Sequence, residues 1–583
     1  MRRRMTLVLV ILCLGMVMTG CEAATLKTRK ALPEWSRGLP LGLAGLNQPI
    51  YLTAEGNQLH MCWVAAGSKA LHYARLDESG AVQVSTELSM SGAHLSEPQL
   101  VVYTDGSFGA LWTDNPNIPR ALFYGKFSPD GQLLQGPTQL SPAGARVANY
   151  VLAHNPDGSS DLFWADEIPS EGGIHHLHLS NDRQTVSADR LLVNAAEYPT
   201  LQVAADGLIH LAWVEEPSLR ENKVYYAVFN PASAELGPAT QVASYRTATG
   251  MVAYAPSLGL DEDTAYLFWA LEQRGGGLSA GEANTYWVSF PLDNPQLSEP
   301  VTLDIAGTAR PSYASASGSL PYQRLADAAA EWPTSILYMP ASLNTQVKEL
   351  GVFLVGEVAT RNRTSRTVVW AILENGQLKG YQLPSSVANA LRPRAVVDQR
   401  GNVHLTWLNA GGFSLYEVYY ASTSSAVRAN LDQVTLQDRA MDFLDGLWGL
   451  APALGFFPPV LLMWTFASFI WVVLFYFVKV EGGMERRASQ VAFVVAVILY
   501  LLSKLFLMPA MLYYAPFMDR LPSSLQFLPV LGTPLFTLLV ALGAVRLYFR
   551  RREYRSLFAS YLIFVTTDAL LSLIIYVPRW LAG

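Results

Sequence analysis

Three histidines in the segment GIHHLHLS, residues 173–180, have the spacing of a chemical site. His176 and His178 are two positions apart, so on a strand both side chains would point to the same face. Imidazole is a common zinc ligand, and such a pair could supply half of a tetrahedral site. No carboxylate or cysteine completes that set nearby in sequence, although another part of the chain could supply one. The segment therefore raises the question of whether this chain binds a metal.

A second set of polar residues follows tryptophans that recur along the chain. We call these seven residues the acidic arc: Asp114, Asp166, Glu167, Glu215, Glu216, Glu272 and Asn409. Carboxylates around one opening could bind Ca²⁺ or a cationic group, or hydrogen-bond a sugar. Two of them at a suitable separation could act as acid and base in glycoside hydrolysis. The simpler alternative is that they are the solvated ends of strands.

The elements that would position these residues form an internal repeat. Each unit contains an apolar segment that ends in Trp, followed by an aromatic strand, a polar turn and a short fourth strand. These segments end at Trp63, Trp112, Trp164, Trp213, Trp269 and Trp407, so the intervals are 49, 52, 49, 56 and 138 residues. The last interval leaves room for a degenerate unit around residues 349–358. About seven units of four strands indicate an all-β propeller over residues 21–440, whereas two packed β-sandwiches would not explain the single period.

Aligning the units by their Trp bears on both sets of candidates. His176 falls on the position that an aromatic residue occupies in other units, and His60, His210 and His404 share one position, three residues before the Trp. We therefore predict a structural role for the histidines, no metal centre among them and no cofactor, while Ca²⁺ at the acidic arc stays open. The arc residues would lie where the second strand of each blade leads into the third, around one mouth of the central channel.

This layout resembles the sialidase-like superfamily of repeat propellers over about residues 40–440. The Asp-box of that family, S-x-D-x-G-x-x-W, does not occur, and neither does its arginine-bearing R-I-P motif. The resemblance therefore implies the fold and no catalytic residue. P-loop, H-E-x-x-H and C-x-x-C patterns are absent from the sequence as well.

The amino terminus has the pattern of an export signal over residues 1–20. Three arginines precede an apolar core, and the segment Val17-Met18-Thr19-Gly20-Cys21 resembles a bacterial lipobox, which would make Cys21 a lipidated amino terminus. The alternatives are an ordinary cleaved signal and an uncleaved anchor. Beyond the signal region and Cys21 the sequence has one cysteine, Cys62, so a disulfide framework is not expected in an exported domain.

Residues 441–583 have the composition of a membrane domain. Four apolar stretches are each long enough to cross a hydrocarbon core: about 458–478, 489–511, 527–549 and 557–577. Pro452, Pro458 and Pro459 are expected to interrupt the chain before the first of them. Basic residues gather in one set of loops, which the positive-inside rule assigns to the cytoplasm, so we expect the propeller on the extracytoplasmic side. These basic residues are Lys479, Arg486, Arg487, Arg546, Arg550, Arg551, Arg552 and Arg555.

Two ionisable residues fall within these apolar stretches. Asp568 lies near the middle of the fourth and Lys504 in the outer half of the second. A lone charge is costly there, so we predict an intramembrane pair between them. The alternative has Lys504 extending toward the interface and Asp568 neutral or bonded to its neighbouring threonines.

The net charge of the chain limits the classes of molecule that it could bind. The chain has a formal net charge of −6, and residues 21–445 alone carry −15 by the same count. Such a domain is poorly suited to nucleic acid. We expect a multi-pass cell-membrane protein whose extracytoplasmic propeller binds an unidentified glycan or protein, and an enzyme is the less favoured interpretation. The alternatives are a membrane-tethered glycan hydrolase that uses the carboxylates at the mouth, and a structural subunit of a membrane complex.

Overall fold

A computed structural model describes residues 34–582 with internal gaps. The gaps are 89–93, 115–119, 156, 169–171, 181–186, 219, 275–282, 304–336, 344–348, 361–362, 375–376, 385–388, 413–414, 434, 479–481, 508–511, 513, 517–522 and 526. The predicted signal peptide and Cys21 therefore lie outside the described residues.

Thirty strands form seven antiparallel sheets, which are the blades of a β-propeller. The first three blades each contain four strands in chain order. Blade 1 consists of β2 (Tyr51–Glu55), β3 (Gln58–Val64), β4 (Leu71–Leu76) and β5 (Val82–Glu87). Blade 2 consists of β6 (Ser96–Val102), β7 (Phe108–Asp114), β8 (Ala121–Phe127) and β9 (Leu133–Gln139). Blade 3 consists of β10 (Val147–His154), β11 (Ser160–Asp166), β12 (Gly173–Leu179) and β13 (Arg190–Asn194).

The next three blades keep this plan with local interruptions. Blade 4 has β14 (Ala196–Val203), β15 (Ile209–Ser218), β16 (Glu221–Asn230) and an outer edge split into β17 (Glu235–Leu236) and β18 (Thr240–Arg246). Blade 5 has an inner edge split into β19 (Met251–Ala253) and β20 (Ser257–Leu260), then β21 (Thr264–Gln273), β22 (Ala283–Pro291) and β23 (Val301–Thr302). Blade 6 has β24 (Leu337–Leu343), β25 (Glu349–Thr360), β26 (Arg363–Glu374) and β27 (Gln377–Gln382), where the degenerate unit was predicted.

The seventh blade closes the ring with strands from both ends of the propeller. It consists of β28 (Ala390–Val397), β29 (Val403–Gly412), β30 (Leu415–Ser422) and the amino-terminal β1 (Leu39–Ala44). In this blade β1 pairs antiparallel with β30 at the outer edge. The first strand of every blade contacts the first strand of the next, including β28 with β2, so seven strands surround a central channel. The predicted seven-bladed fold is confirmed.

The repeated tryptophans explain why the blades stack. Six of them are at most 3% exposed, and each belongs to an apolar cluster that it shares with the preceding blade. In blade 6 the second strand has no Trp, and Leu350, Val352 and Leu354 make the contact with blade 5 instead. Burying large aromatic and branched side chains on both faces of every sheet supplies a continuous core without disulfides.

Among the described residues, five α-helices follow the propeller. They are α1 (Ser425–Leu431), α2 (Leu436–Val478), α3 (Arg487–Leu507), α4 (Phe527–Arg551) and α5 (Leu557–Ala582). Helix α1 packs on the propeller, where its Val427 is buried beside Tyr420. The other four helices are long and apolar enough to cross a membrane, in the segments Leu450–Val478, Arg487–Leu507, Phe527–Arg551 and Leu557–Pro578. The prediction of four helices that are long and apolar enough to span a membrane is confirmed.

The expectation that three prolines interrupt the chain before the first span is wrong. Helix α2 continues through Pro452, Pro458 and Pro459 without a break. A proline removes one backbone hydrogen bond, and apolar helices tolerate this when neighbouring groups satisfy the freed carbonyl.

Helix α5 lies at the centre of the four-helix bundle. It packs against α2, α3 and α4, and half of its most apolar segment is buried inside the protein, compared with 22% for each of the other three. Ser468 of α2 and Tyr561 of α5 also share a buried hydrogen bond of 2.7 Å between their hydroxyl oxygens. Polar side chains that bond across helices in this way hold membrane bundles together.

Candidate functional site

The histidine segment forms β12, and each of its histidines meets a carboxylate. His176 Nε2 and His178 Nδ1 lie 2.7 Å and 3.0 Å from the same atom, Asp161 Oδ1. His175 points to the other face, where it stacks on Trp164 with ring centroids 4.0 Å apart and bonds to Asp189 at 2.7 Å. Sequence reasoning missed these acids because one comes from the neighbouring strand and the other from the approach to β13.

The same hydrogen bond recurs in other blades with different residues. His60 Nδ1 lies 2.8 Å from the hydroxyl of Tyr73, and equivalent pairs join His210 to Tyr226 and His404 to Tyr420. Blade 3 has Asp161 at the histidine position and His176 at the tyrosine position, since each residue keeps the strand register of its counterpart. Burial, with a smaller contribution from Arg75, lowers the pKa of His60 to about 4, so this imidazole is neutral at pH 7. These pairs hold adjacent strands together.

Among the described residues, no group of three or more His, Cys, Asp or Glu side chains is arranged to hold a metal ion. The prediction of a chain without a cofactor or a metal stays a prediction.

The acidic arc lies at the ends of second strands, and most of its members have hydrogen-bond partners within the protein. Asp114 Oδ1 accepts the amide of His94, which lies in the segment before β6, at 3.0 Å. Asp166 Oδ1 accepts the Ile168 amide in its own loop at 2.9 Å. Glu167 is exposed. Asp114 and Asp166 therefore each hold a loop segment in place.

The remaining arc residues also have close partners. Glu215 accepts the Trp213 indole N–H, Glu216 accepts the Arg220 amide, and Asn409 donates to Glu417. Glu272 accepts the Tyr254 hydroxyl at 2.5 Å and Arg274 Nε at 2.8 Å. Burial would raise the pKa of Glu272, but these two hydrogen bonds and the arginine charge lower it overall. No hydrogen bond in the described part of the chain joins two arc members, so ligand binding by the arc stays a prediction.

A different set of residues converges on the channel, and sequence reasoning missed it. Three first strands contain a bulge in which a residue with positive φ precedes a proline. These residues are Glu97, Tyr198 and Arg392, with φ of +53°, +53° and +51°. Left-handed backbone at a non-glycine residue costs roughly 1–3 kcal/mol and is concentrated at functional sites. The strain therefore marks the entrance of the first strands into the channel.

Side chains from blades 1, 2, 3 and 7 meet there, and we call this group the channel cluster. It consists of Tyr51, Glu97, Tyr150, His154, Arg392 and Arg394. The Tyr51 hydroxyl lies 3.4 Å from His154 Nε2, which joins blades 1 and 3. The Tyr150 hydroxyl donates to the Glu97 carbonyl at 2.5 Å, which joins blades 3 and 2. Arg392 Nε donates to Asn47 Oδ1 at 3.3 Å, which joins blade 7 to the segment before blade 1.

The channel cluster is accessible to solvent and yet surrounded by protein. Arg394 is exposed to solvent, yet desolvation by the surrounding protein, and then the charge of Arg392, lower the pKa of its guanidinium. Both observations hold because the side chain lies in a narrow channel rather than on the outer surface. Burial raises the pKa of Tyr51 to about 12 although Arg394 opposes the change. Burial likewise raises the pKa of Glu97 against the charges of Arg120 and Arg392. The result is a cationic region inside an acidic domain.

Blade 4 contributes an acidic region near the start of its first strand. Burial, followed by repulsion from Glu216, raises the pKa of Glu197 to about 7. Burial, and to a smaller extent the charges of Glu197 and Glu216, also raise the pKa values of the Tyr198 and Tyr245 hydroxyls. Glu197 can therefore exchange a proton near neutral pH, and Glu216 is the arc member that tunes it.

A signal for the channel residues was present in the repeat. Several units begin with Pro-x-hydrophobic, and in four of them the residue before that proline is Gln48, Glu97, Tyr198 or Arg392. A purely structural repeat would favour a small or apolar residue at the position before the proline. Large polar side chains there indicate the channel mouth.

The intramembrane pair is in contact. Lys504 Nζ lies 2.6 Å from Asp568 Oδ2, and the Asp568 side chain is fully buried. The Tyr500 hydroxyl donates to the same oxygen at 2.8 Å, and Lys504 Nζ donates to Ser572 Oγ at 2.6 Å. The ammonium also lies 5.5 Å from the centre of the Trp464 ring.

Comparisons with known proteins give fold neighbours of distant sequence. No protein-family model matches the chain, and no curated protein matches its sequence. Among solved structures, a polysaccharide lyase of family PL25, an ulvan lyase, is 10% identical and has a TM-score of 0.44, with 65% of this chain and 95% of that chain covered. An endo-arabinase from Bacteroides thetaiotaomicron is 14% identical, with a TM-score of 0.29, 45% of this chain and 96% of that chain covered.

A third similar structure is a complex of BBS1N with ARL6DN, at 8% identity and a TM-score of 0.37, with 67% of this chain and 97% of that chain covered. These values are too low for any of the three proteins to inform function. Membership of the sialidase-like superfamily is not confirmed.

Proposed function

We propose that this protein is a membrane-anchored propeller that binds an extracytoplasmic ligand at the mouth of its channel. Four apolar helices support an integral membrane protein, and the basic loops at 479–487 and 546–555 support a propeller outside the cytoplasm. A lipid on Cys21 would add a second attachment to the membrane. Most of the chain is then a binding domain held at the cell surface.

One observation carries this proposal: side chains from four blades converge on a water-accessible channel. Arg392 and Arg394 bring positive charge to a domain that is acidic overall, and Tyr51 and His154 add hydrogen-bonding rings beside them. Arginine binds carboxylates with two parallel hydrogen bonds, and aromatic rings offer apolar surface to a sugar. The ligand class that fits is a carboxylate-bearing glycan, such as one that contains uronic acid.

The test uses the full-length protein in lipid nanodiscs and measures its thermal unfolding with added oligosaccharides. Uronic-acid oligosaccharides should raise the melting temperature, because a ligand that binds only the folded state stabilises it. Neutral oligosaccharides of the same length should do so less. Arg394→Gln should abolish the difference, while Arg400→Gln, at the exposed turn of the same blade, should retain it. Equal shifts for the two variants would contradict the proposal.

The location of the propeller is tested separately. Protease added to intact spheroplasts should degrade the propeller and leave the loops at 482–487 and 550–555 intact. Full protection of the propeller would overturn the assignment.

A second candidate function is a membrane-tethered glycan hydrolase. The observation that favours it is the pKa of Glu197, which burial and Glu216 bring to about 7, as a general acid requires. Purified protein would then cleave an oligosaccharide from a screening panel, with loss of activity in Glu197→Gln and retention in Glu235→Gln, an exposed residue of the same blade. A panel without turnover would leave the binding function as the better account.

A further inference from the structure

The helical bundle contains a cavity of about 260 Å³ beside the intramembrane pair. Its walls come from all four spanning helices and are almost entirely apolar, with Leu501, Leu505, Leu535 and Leu538 among them. Leu505 and Leu535 are 49% and 54% exposed on the outer surface of the bundle. The cavity therefore opens where the membrane's hydrocarbon would lie.

One end of the cavity is polar. Lys504 and Ser572 line it, and so does Trp464. Lys504 donates to Asp568 and to Ser572, which leaves its third ammonium proton without an acceptor among the described residues. The indole N–H of Trp464 also has no acceptor in the described part of the chain. The Trp464 side chain is 0% exposed, however, so Lys504, at 13%, is the donor that an oxygen atom in the cavity could reach.

Size and charge limit what can supply that oxygen. A cavity of roughly 150 Å³ holds a benzene-sized molecule and stays dry when it is apolar, so this larger cavity suits a hydrocarbon chain better than water. The charge of Lys504 is already balanced by Asp568 at 2.6 Å. An anionic head group would bring a second negative charge close to a buried carboxylate, which favours an uncharged head group instead.

We propose that this cavity binds an amphiphile with a single apolar chain and an uncharged, oxygen-bearing head group, such as a long-chain alcohol. The chain lies against Leu501, Leu535 and Leu538, and the head-group oxygen accepts a hydrogen bond from Lys504. Lys504 is near the carboxyl end of α3, so the head group lies toward one membrane interface and the apolar chain extends toward the middle of the membrane. The proposal does not depend on the ligand of the propeller.

The test is photolabelling of the full-length protein in vesicles of phosphatidylcholine. The probe is hexadecanol with a diazirine on its chain, and matched probes are hexadecanoic acid and hexadecane with the same diazirine. Hexadecanol should label peptides that contain residues 501–505 or 534–538, and excess unlabelled hexadecanol should suppress the label. Labelling that is not saturable, or is equal for hexadecane, would overturn the proposal. Stronger labelling by the acid would refute the uncharged head group.

A matched pair of variants locates the site. Leu535→Trp places a large side chain at the mouth of the cavity and should reduce saturable labelling by roughly tenfold, about 1.4 kcal/mol of binding free energy. Leu531→Trp, one turn earlier on the same helix and 67% exposed, should leave it unchanged. Leu531 and Leu535 are both exposed, so neither variant should prevent folding. Leu538→Trp makes the same test at the inner wall of the cavity and should also reduce saturable labelling. Equal labelling of the Leu531 and Leu535 variants would contradict the site.

Discussion

The protein holds charged side chains in two enclosed places, the channel cluster of the propeller and the Lys504–Asp568 pair of the bundle. In the channel, Arg394 is exposed to solvent, and the contact between Tyr51 and His154 is a long 3.4 Å. In the bundle, the two charged atoms are 2.6 Å apart and Asp568 has no exposed surface. Arg394 in the channel is thus accessible to solvent, whereas Lys504 and Asp568 in the bundle are in direct contact.

The difference follows from the surroundings of the charges, which are water in the channel and hydrocarbon in a bilayer. A charge in a water-filled channel loses only part of its hydration, so it needs no dedicated counter-ion at contact distance. Within a bilayer no water is available to solvate a charge, so the charge requires a direct partner and additional hydrogen bonds. Substitution should therefore affect folding in the bundle and binding in the channel.

The largest effect is expected from breaking the pair on one side. Asp568→Ala leaves the Lys504 ammonium buried without its counter-ion, which should cost about 3–5 kcal/mol. Chemical unfolding of the bundle in detergent, followed by helical circular dichroism, measures the loss. The double variant Lys504→Leu with Asp568→Leu should recover most of it, because both charges are removed together. A double variant as unstable as Asp568→Ala would show that the pair is not the source of the cost.

A smaller effect is expected at the carboxylate shared by two histidines in blade 3. Asp161→Ala removes the partner of His176 and His178, and a buried polar group left unpaired costs about 1–3 kcal/mol. Thermal unfolding of the propeller should report the change, with Asp130→Ala at an exposed turn as the control. A bound metal would instead appear as zinc that is lost in the same variant.

The next effect concerns pH and blade 4. The pKa of Glu197 rises from its ordinary 4.5 to about 7 on folding, so the folded state binds more protons than the unfolded chain between these values. Stability should therefore fall as pH increases from about 4.5 to about 7 and stay lower above that range. Melting temperatures across this range should change less in Glu197→Gln, whereas Glu235→Gln should behave as wild type. An unchanged slope in Glu197→Gln would refute the assignment.

The smallest effect on folding is expected at the acidic arc. Replacing Asp114, Asp166 and Glu215 together by Asn, Asn and Gln keeps a side-chain acceptor at each position, so stability should change by about 0.5 kcal/mol or less. If the arc binds Ca²⁺, any increase in melting temperature with Ca²⁺ in wild type should vanish in the triple variant. Stabilisation that persists would leave the arc as a solvated rim.

Much of the fold could be predicted because it depends on patterns within short stretches of the sequence. The Trp period fixed the blades, and an apolar stretch of sufficient length identifies a span whatever its neighbours are. Even the unit without its Trp could be placed, since ELGVFLVGEV is apolar in the expected interval. The prolines of α2 misled because a single sequence does not show which groups satisfy the backbone that each proline frees.

The candidate site could be predicted less well because it depends on contacts between blades. The acids of the arc repeat in sequence, which made them visible, but most of them bond to groups of the protein and none of these bonds joins two arc members. The channel cluster combines different residue types from different blades, and only Glu97 and Arg392 share the proline that follows them. Asp161 was missed for a similar reason, since only blade 3 has an acid at the position of His60 and a histidine at the position of Tyr73.

The β1–β30 pairing also sets the order of events during synthesis. The Ser422 amide donates to the Ser36 hydroxyl across 386 residues of chain. At roughly 5–20 residues per second, about 20–80 s pass between the synthesis of one partner and the other. During that interval β1 has no neighbour, and an unpaired strand edge invites pairing with other chains. Among the described strands, the first to be synthesised is therefore the last to be protected.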